Sequence, residues 1–411
     1  MRSMTASTSS IRLAHVADLH IGASYHLGDE DRGGLNSRLR DFRDAWVRSC
    51  EQMVAEHVDL VLFAGDAFET CKPTPTEQQA FRDGLDVLCD AGIVVVAIVG
   101  NHDLPRAPGR THALAIFDGY RDRVHVSDRP EVIPFHLTLG LSVACLPWFS
   151  RAHIAAGDPD FDHLTLDEQN QHIVDLSLAV LRRLGAEAEA QAGPLGSVLL
   201  AHGSIAGSVV GAESSTQFFR DPVLPLSELR GLPFAYQAWG HLHRAQTLAT
   251  RINYSGSIER TDFAEATEGK GWWLVSLGED PQDDDCIWHS SSPRPFVDLN
   301  FPDPAAWPES IGKLSDWYTG AIVRVKYQAT PEVARAMDHA AVRRALYAAG
   351  AQKVHGPIAQ IVHSVTEAAP TLTEETDVFS GWSEWADRQG IEEVDRERLD
   401  RQVREALEVT G

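Results

Sequence analysis

Between positions 11 and 277, short apolar runs alternate with stretches in which apolar residues recur every three or four positions. The runs at 11–17, 58–64, 93–99, 142–146, 198–201, 234–239 and 272–277 have the length and the Val, Ile, Leu or aromatic content of strands. The stretches between them have helical spacing. In the segment 166–191, Ile173, Leu176, Leu178, Val180, Leu181 and Leu184 fall on one helical stripe, which predicts an inserted surface helix. Alternation of this kind predicts an α/β layered domain with a central sheet.

An acidic, Pro-bearing stretch at 278–295 breaks the pattern, because Asp280, Pro281, Asp283, Asp284 and Asp285 cannot enter a core. Beyond it the sequence predicts a strand at 322–327, a helix over 331–349 opened by Thr330 and Pro331, and a second strand at 357–363. In the last stretch Val378, Phe379, Trp382 and Trp385, then Leu399, Val403, Ala406 and Leu407, predict two short amphipathic helices with charged outer faces. The organisation is therefore a large domain at 1–290, a small α/β unit at 296–365 and a helical tail at 372–411. No internal repeat is visible.

The longest apolar run, 93–99, is too short to span a bilayer, and nothing near Arg2 resembles a signal peptide. Five cysteines stand singly with no C-x-x-C pair, which suits a reducing, cytoplasmic setting and argues against a thiolate zinc cluster. With 411 residues, 43% hydrophobic and 23% charged, the chain has the composition of an ordinary globular protein of two or three domains. The net charge of −23 weighs against a nucleic-acid partner. Much of that acid, from Glu374 to Asp400, lies in the tail, and global charge says little about one groove.

Five short motifs sit at or just past the ends of predicted strands: Asp18-Leu19-His20, Gly65-Asp66, Gly100-Asn101-His102-Asp103, Ala201-His202-Gly203 and Gly240-His241-Leu242-His243. The carboxyl edge of an α/β sheet is where ligands gather. In extended chain Asp18 with His20, and His241 with His243, point the same way and can present paired ligand heads. A carboxylate can bridge two cations about 3.5–4 Å apart, a geometry that serves in-line displacement at phosphorus. Asp66 is the candidate bridge. Imidazoles mixed with carboxylates and one amide suit Mn²⁺, Fe or Zn²⁺ better than Ca²⁺ or Mg²⁺. Each motif alone is commonplace: Asp-x-His arises by chance, Gly-Asp is an ordinary turn, and one His after a strand is usually core. The five together, in this order, point to a two-metal phosphoesterase.

These motifs resemble the signature of the calcineurin-like metallophosphoesterases, which implies a central β-sandwich flanked by helices. By that resemblance Asp18, His20, Asp66 and His243 hold one metal, and Asp66, Asn101, His202 and His241 the second. His102 then stabilises or protonates the leaving group, and Asp103 orients its imidazole and keeps it cationic. The competing reading of Asp103 is a carboxylate that caps the following turn.

Within that superfamily, the passage from Tyr254 to Phe263, followed by Glu265 and Lys270-Gly271-Trp272, is similar to one found in SbcD-type double-strand-break nucleases. The start of the helix at Arg38, the 322–327 strand and the tail extend the likeness. It implies two Mn²⁺ ions and 3′–5′ exonuclease and endonuclease action on DNA ends and hairpins. It further implies a small α/β capping domain, a homodimer, and a C-terminal helical tail that docks an SbcC-type ATPase. The tail stripe of Trp382, Trp385, Leu399 and Val403 would bury against such a partner.

Arg106, Arg110, Arg244, Arg251 and Arg260 lie near the motifs, with Arg106, Arg244 and Arg260 the candidate contacts to a DNA backbone. The chain departs from relatives at Glu69, where His or Asp often stands, and Glu69 is read as a helix-surface or capping residue outside the site. The remaining histidines, His15 and His355 among them, are read as structural or solvated. Two other functions fit the same motifs: a small-molecule phosphodiesterase or nucleotidase, favoured by the acidity, and a non-catalytic repair scaffold, disfavoured because no ligand is missing.

Overall fold

A computed structural model describes residues 10–30, 33–105, 109–158, 160–211, 221–279, 285–308, 311, 318–362, 378–388, 396 and 398–404. Two six-stranded sheets pack face to face. The first runs, edge to edge, Asp285–Ser290, Gly271–Gly278, Ser10–Val16, Leu60–Phe63, Val94–Ile98, Val124–Ser127. The second runs Gln246–Ala249, Ile252–Tyr254, Tyr236–Gly240, Ser197–His202, Leu141–Leu146, Glu131–Phe135. Neighbours at the centre of each sheet are parallel, whereas antiparallel pairs lie toward the edges.

The unbroken apolar runs follow from burial on both faces. In Ser10–Val16 and the residue after it, Ile11, Leu13 and Ala17 face the space between the sheets, whereas Ala14 and Val16 face outward under the helices. Leu60 and Leu62 alternate with Val61 and Phe63 in the same way, and Val198 and Leu200 with Leu199 and Ala201. Period-two side chains thus feed three stacked cores, so no face of a central strand has to be polar.

Helices Ser37–Ala55 and Pro75–Asp90 cover the first sheet, the second of them started by a reciprocal cap between Thr74 and Glu77. Leu166–Ala190, capped likewise by Thr165 and Glu168, buries Leu181, Leu184 and Ala188 on the second sheet. The predicted surface helix is therefore the outer layer of the sandwich, and its apolar stripe is the third core. Between the sheets, buried His15 bonds the Tyr236 hydroxyl through Nδ1 (2.9 Å) and the Trp239 carbonyl through Nε2 (3.1 Å). Burial pushes its pKa down to about 3, so it is a neutral polar stitch, in keeping with a structural role.

All seven predicted strands are present, with ends shifted by up to two residues. The sequence pattern passed over the short strands at the sheet edges, where only one face or neither is buried and the apolar signal fades. Asp285–Ser290, inside the stretch read as a boundary, pairs with Gly271–Gly278 through its backbone, which needs no core-facing side chain.

The small unit is a three-stranded parallel sheet, Phe296–Phe301, Ile322–Ala329 and Lys353–Ile361. The single helix expected over 331–349 is two, Pro331–Ala336 and His339–Ala348. The chain extends at Met337, and the Asp338 side chain accepts from the Ala341 amide to start a new helix. This unit sits on the sandwich through Leu27, Phe263, Phe296 and Ile322, with His355 bonded to the Leu27 carbonyl and Lys353 paired with Asp29.

In the tail, Val378–Arg388 and the helical residues 398–404 pack on each other. The Trp382 indole donates to Asp400 (2.6 Å) and Arg404 lies over Phe379. Part of the stripe expected to dock a partner is thus used internally, while Trp385 keeps 40% of its surface exposed. Leu372, Ala406 and Leu407 lie outside the described residues. Among the described residues no helix is long and apolar enough to cross a membrane.

Candidate metal centre

The five motifs meet where the carboxyl ends of both sheets come together. They do so less through strand alternation than through tight loops: Asp18, His20, Asp66 and His241 all lie beyond their strands with positive φ (53°, 47°, 56° and 106°). Four non-glycine residues held in that region within one site is stored backbone strain, maintained by the surrounding packing. Close approach is needed too, since a Cβ at Gly100 would overlap the Asp66 carboxylate and one at Gly240 the Ala64 carbonyl.

Every imidazole is oriented from behind by an acceptor. His20 Nδ1 donates to Glu69 Oε2 (3.0 Å), His243 Nδ1 to Glu265 Oε1 (2.8 Å), His202 Nδ1 to the Ala64 carbonyl (2.6 Å) and His241 Nε2 to Asp221 Oδ2 (3.1 Å). The opposite nitrogen of each ring is left with a lone pair that faces other acceptors. The Nε2 atoms of His20 and His243 lie 3.0 Å apart. His202 Nε2 and His241 Nδ1 each lie 2.9 Å from Asn101 Oδ1, and His202 Nε2 is 3.3 Å from Asp66 Oδ2. Acceptors crowded on acceptors repel unless protons or cations sit among them. The donor set therefore fits divalent cations.

Three groups among the described residues satisfy the geometry: His20 with Glu69 and His102, Asp18 with His20 and Asp66, and Asp66 with His202 and His241; Asp66 belongs to the last two. Burial works against a charged His202, but Asp66 and Asp18 raise it to about 9. Burial likewise opposes ionisation of Asp66, and His202, His102 and His20 hold it well below the usual carboxylate range. His102 is also raised: burial is outweighed by Asp66, the Glu69 carbonyl and the Glu69 charge.

The cavity, about 430 Å³, is lined by His20, Glu69, Asn101, His102, Asp221 and His241 among others. Trp148 stacks on His241 with ring centres 5.0 Å apart. Asp18, His20, Asp66, Asn101, His202, His241 and His243 are thus all brought together, with His102 on the cavity wall.

Three expectations need correction. Asp103 does not orient His102: its two oxygens accept from the amides of Asp66, Ala67, Phe68 and Gly100, so it clamps two ligand loops together. The His102 ring is set by Nδ1 donating to the Glu69 carbonyl (2.8 Å). Glu69, left out of the site, is in it. Arg260 is not a free contact for a phosphate, because its guanidinium donates to the carbonyls of Glu265, Glu268 and Arg294. Arg244 is exposed beside the site, and Arg106 lies outside the described residues.

Glu265 and Asp221 were not foreseen as parts of the site. Glu265 stood within the passage that carried the family likeness, but no spacing rule links it to His243, 22 residues earlier. Asp221 had no signal at all.

The sequence profile of the calcineurin-like phosphoesterases matches residues 11–245. The chain is 27% identical over 301 residues to the SbcD component of the nuclease SbcCD from Bacillus subtilis, covering 70% of this chain and 71% of that one. It is 24% identical over 315 residues to the DNA double-strand break repair protein Mre11 of Methanocaldococcus jannaschii, covering 73% and 72%. To the SbcD component of the nuclease SbcCD from Rhodobacter capsulatus it is 28% identical over 326 residues, covering 74% and 75%.

Proposed function

Because the chain belongs to the calcineurin-like phosphoesterase family, we propose that it is a metal-dependent DNA nuclease of the SbcD type. In this reading it cleaves phosphodiesters at DNA ends and hairpins, 3′–5′ as an exonuclease and also as an endonuclease, in the cytoplasm. The observation that carries the phosphoesterase chemistry is the cage of inward-facing acceptors around Asp66. The choice of DNA is supported by likeness to a nuclease component and to a DNA double-strand break repair protein, each over about 70% of the chain.

Asp18, His20, Asp66 and His243 would hold one cation and Asp66, Asn101, His202 and His241 the other. Two divalent ions bound there, Mn²⁺ in this reading, supply Lewis-acid charge and an acidified water for attack on phosphorus. The protein's part is positional. Glu69, Glu265, Asp221 and the Ala64 carbonyl fix the four rings, Asp103 fixes the loops, and Trp148 shields His241. His102, with Nδ1 tied back, presents Nε2 to the leaving oxygen and gives it a proton. Exposed Arg244, next in the chain after His243, would contact a backbone phosphate.

The test is a substrate panel with Mn²⁺: end-labelled linear duplex, a hairpin and a set of cyclic nucleotides. Cleavage of both DNAs, abolished by chelation, is expected. Turnover of cyclic nucleotides alone would move the protein to small-molecule substrates, and failure to hydrolyse bis-p-nitrophenyl phosphate would leave only a scaffold.

The same reading makes the chain a homodimer that docks an SbcC-type ATPase through the tail, where Trp385 remains exposed. Light scattering on the co-expressed pair should find two copies of each, with the ATPase lost when residues after Pro370 are deleted. Co-elution despite the deletion rules out the tail as the docking segment, and one copy of this chain per particle rules out the dimer.

A further inference from the structure

Behind His243 lies an ion pair that sequence spacing gave no reason to expect. Glu265 and Lys270 are both completely buried. Two charges so placed are costly unless each polar atom finds a partner. Here each does. Glu265 Oε1 accepts from His243 Nδ1 and from Thr261 Oγ1, both at 2.8 Å, and Oε2 accepts from the Thr261 amide (2.8 Å) and faces Lys270 Nζ (3.0 Å). Lys270 Nζ donates in addition to the His243 carbonyl (3.1 Å) and to Glu268 Oε2 (3.0 Å). The pair grips His243 at both its ring and its backbone. Arg260 ties the loop down through the carbonyls of Glu265 and Glu268.

The other rings are held differently. His202 leans on a neutral carbonyl, His241 on Asp221, and His20 on Glu69, whose side chain is 41% exposed. The direct donors are unequal as well, with Asp18 and Asp66 on the His20–His243 side against Asp66 and the neutral Asn101 on the other.

We infer that Glu265 and Lys270 are positioning residues that make the His20–His243 side the tighter of the two cation positions, so that the two fill in sequence. This rests on the two-cation reading above. A carboxylate behind an imidazole fixes its tautomer and makes the facing nitrogen a better donor. Lys270 holds that carboxylate still, and a dry site keeps its attraction for the cation unscreened.

The experiment is a Mn²⁺ titration of the metal-free full chain, followed by calorimetry and by the electron paramagnetic resonance of bound Mn²⁺. The wild type should bind in two steps, the coupled spectrum of a pair growing only in the second. Glu265→Gln should weaken the first step by about 10- to 100-fold and merge it with the second. Its metal-free thermal midpoint should fall, because the amide turns an NH2 toward donors that both carboxylate oxygens now serve, so the titration is run well below that midpoint, where Lys270 still holds Glu268 and the His243 carbonyl. Glu265→Asp, which keeps the charge, should recover part of the loss. Two unaltered steps in Glu265→Gln, or equal affinities in the wild type, overturn the inference while leaving the nuclease reading intact. A wild type that binds no Mn²⁺ overturns both.

Discussion

Replacing Asp66 by Asn is expected to remove the cage's capacity for a pair of cations and to lower phosphodiester hydrolysis by at least about 1000-fold. Asp66 is common to the Asp18–His20 and the His202–His241 groups, and its carboxylate lies against both His20 and His202. An amide keeps the shape and one acceptor oxygen but loses the charge that both positions share. Asp66 Oδ1 also accepts from the His102 amide (2.8 Å), so the substitution loosens the loop that presents His102. Elemental analysis after equilibration with Mn²⁺ should fall from two ions per chain to one or none. A variant that keeps both ions and its activity would show that the bridge lies elsewhere. Thermal unfolding of the metal-free variant serves as the folding control.

The second large effect is at His102. His102→Ala should cost about 10²- to 10⁴-fold on DNA while metal content stays at two per chain. The mechanism predicts a substrate dependence. The p-nitrophenolate leaving group needs no proton, so hydrolysis of bis-p-nitrophenyl phosphate should fall by less than about 10-fold. It predicts a pH dependence too. Asp66 and Glu69 outweigh burial and raise the His102 pKa, so its protonated form persists above the ordinary histidine range. Wild-type activity on DNA should therefore fall as pH rises through that raised pKa, the sign expected of a required acid, and the variant should lack that limb. Equal losses on both substrates with an unchanged pH profile would assign His102 to phosphate binding instead.

These two residues were legible before any coordinates, and their supports were not. Asp66 and His102 each sit in a short motif after an apolar run, and the order of the five motifs carries their meaning. Glu69 was misread because nothing local says that a carboxylate after Gly-Asp-Ala-Phe turns back to His20, 49 residues away. Asp103 was misassigned for the opposite reason. Adjacency to His102 suggested a partnership, yet four amides compete for its two oxygens and win. Arg260 looked available because an arginine near a motif carries no mark of whether its donors are already taken.

The sequence alone determined the central strands, a layered α/β class, the small second unit and the seven residues whose polar heads converge, while the sandwich entered through the family likeness of the motifs. Each of these is written in local periodicity or in a short motif whose residues are neighbours along the chain. Only the tertiary structure decided the left-handed turns that aim Asp18, His20, Asp66 and His241, and the edge strands that pair by backbone alone. It also decided which acceptor stands behind each imidazole. Those choices depend on groups up to 138 residues apart, as with His202 and the Ala64 carbonyl, and on which donors burial leaves without water.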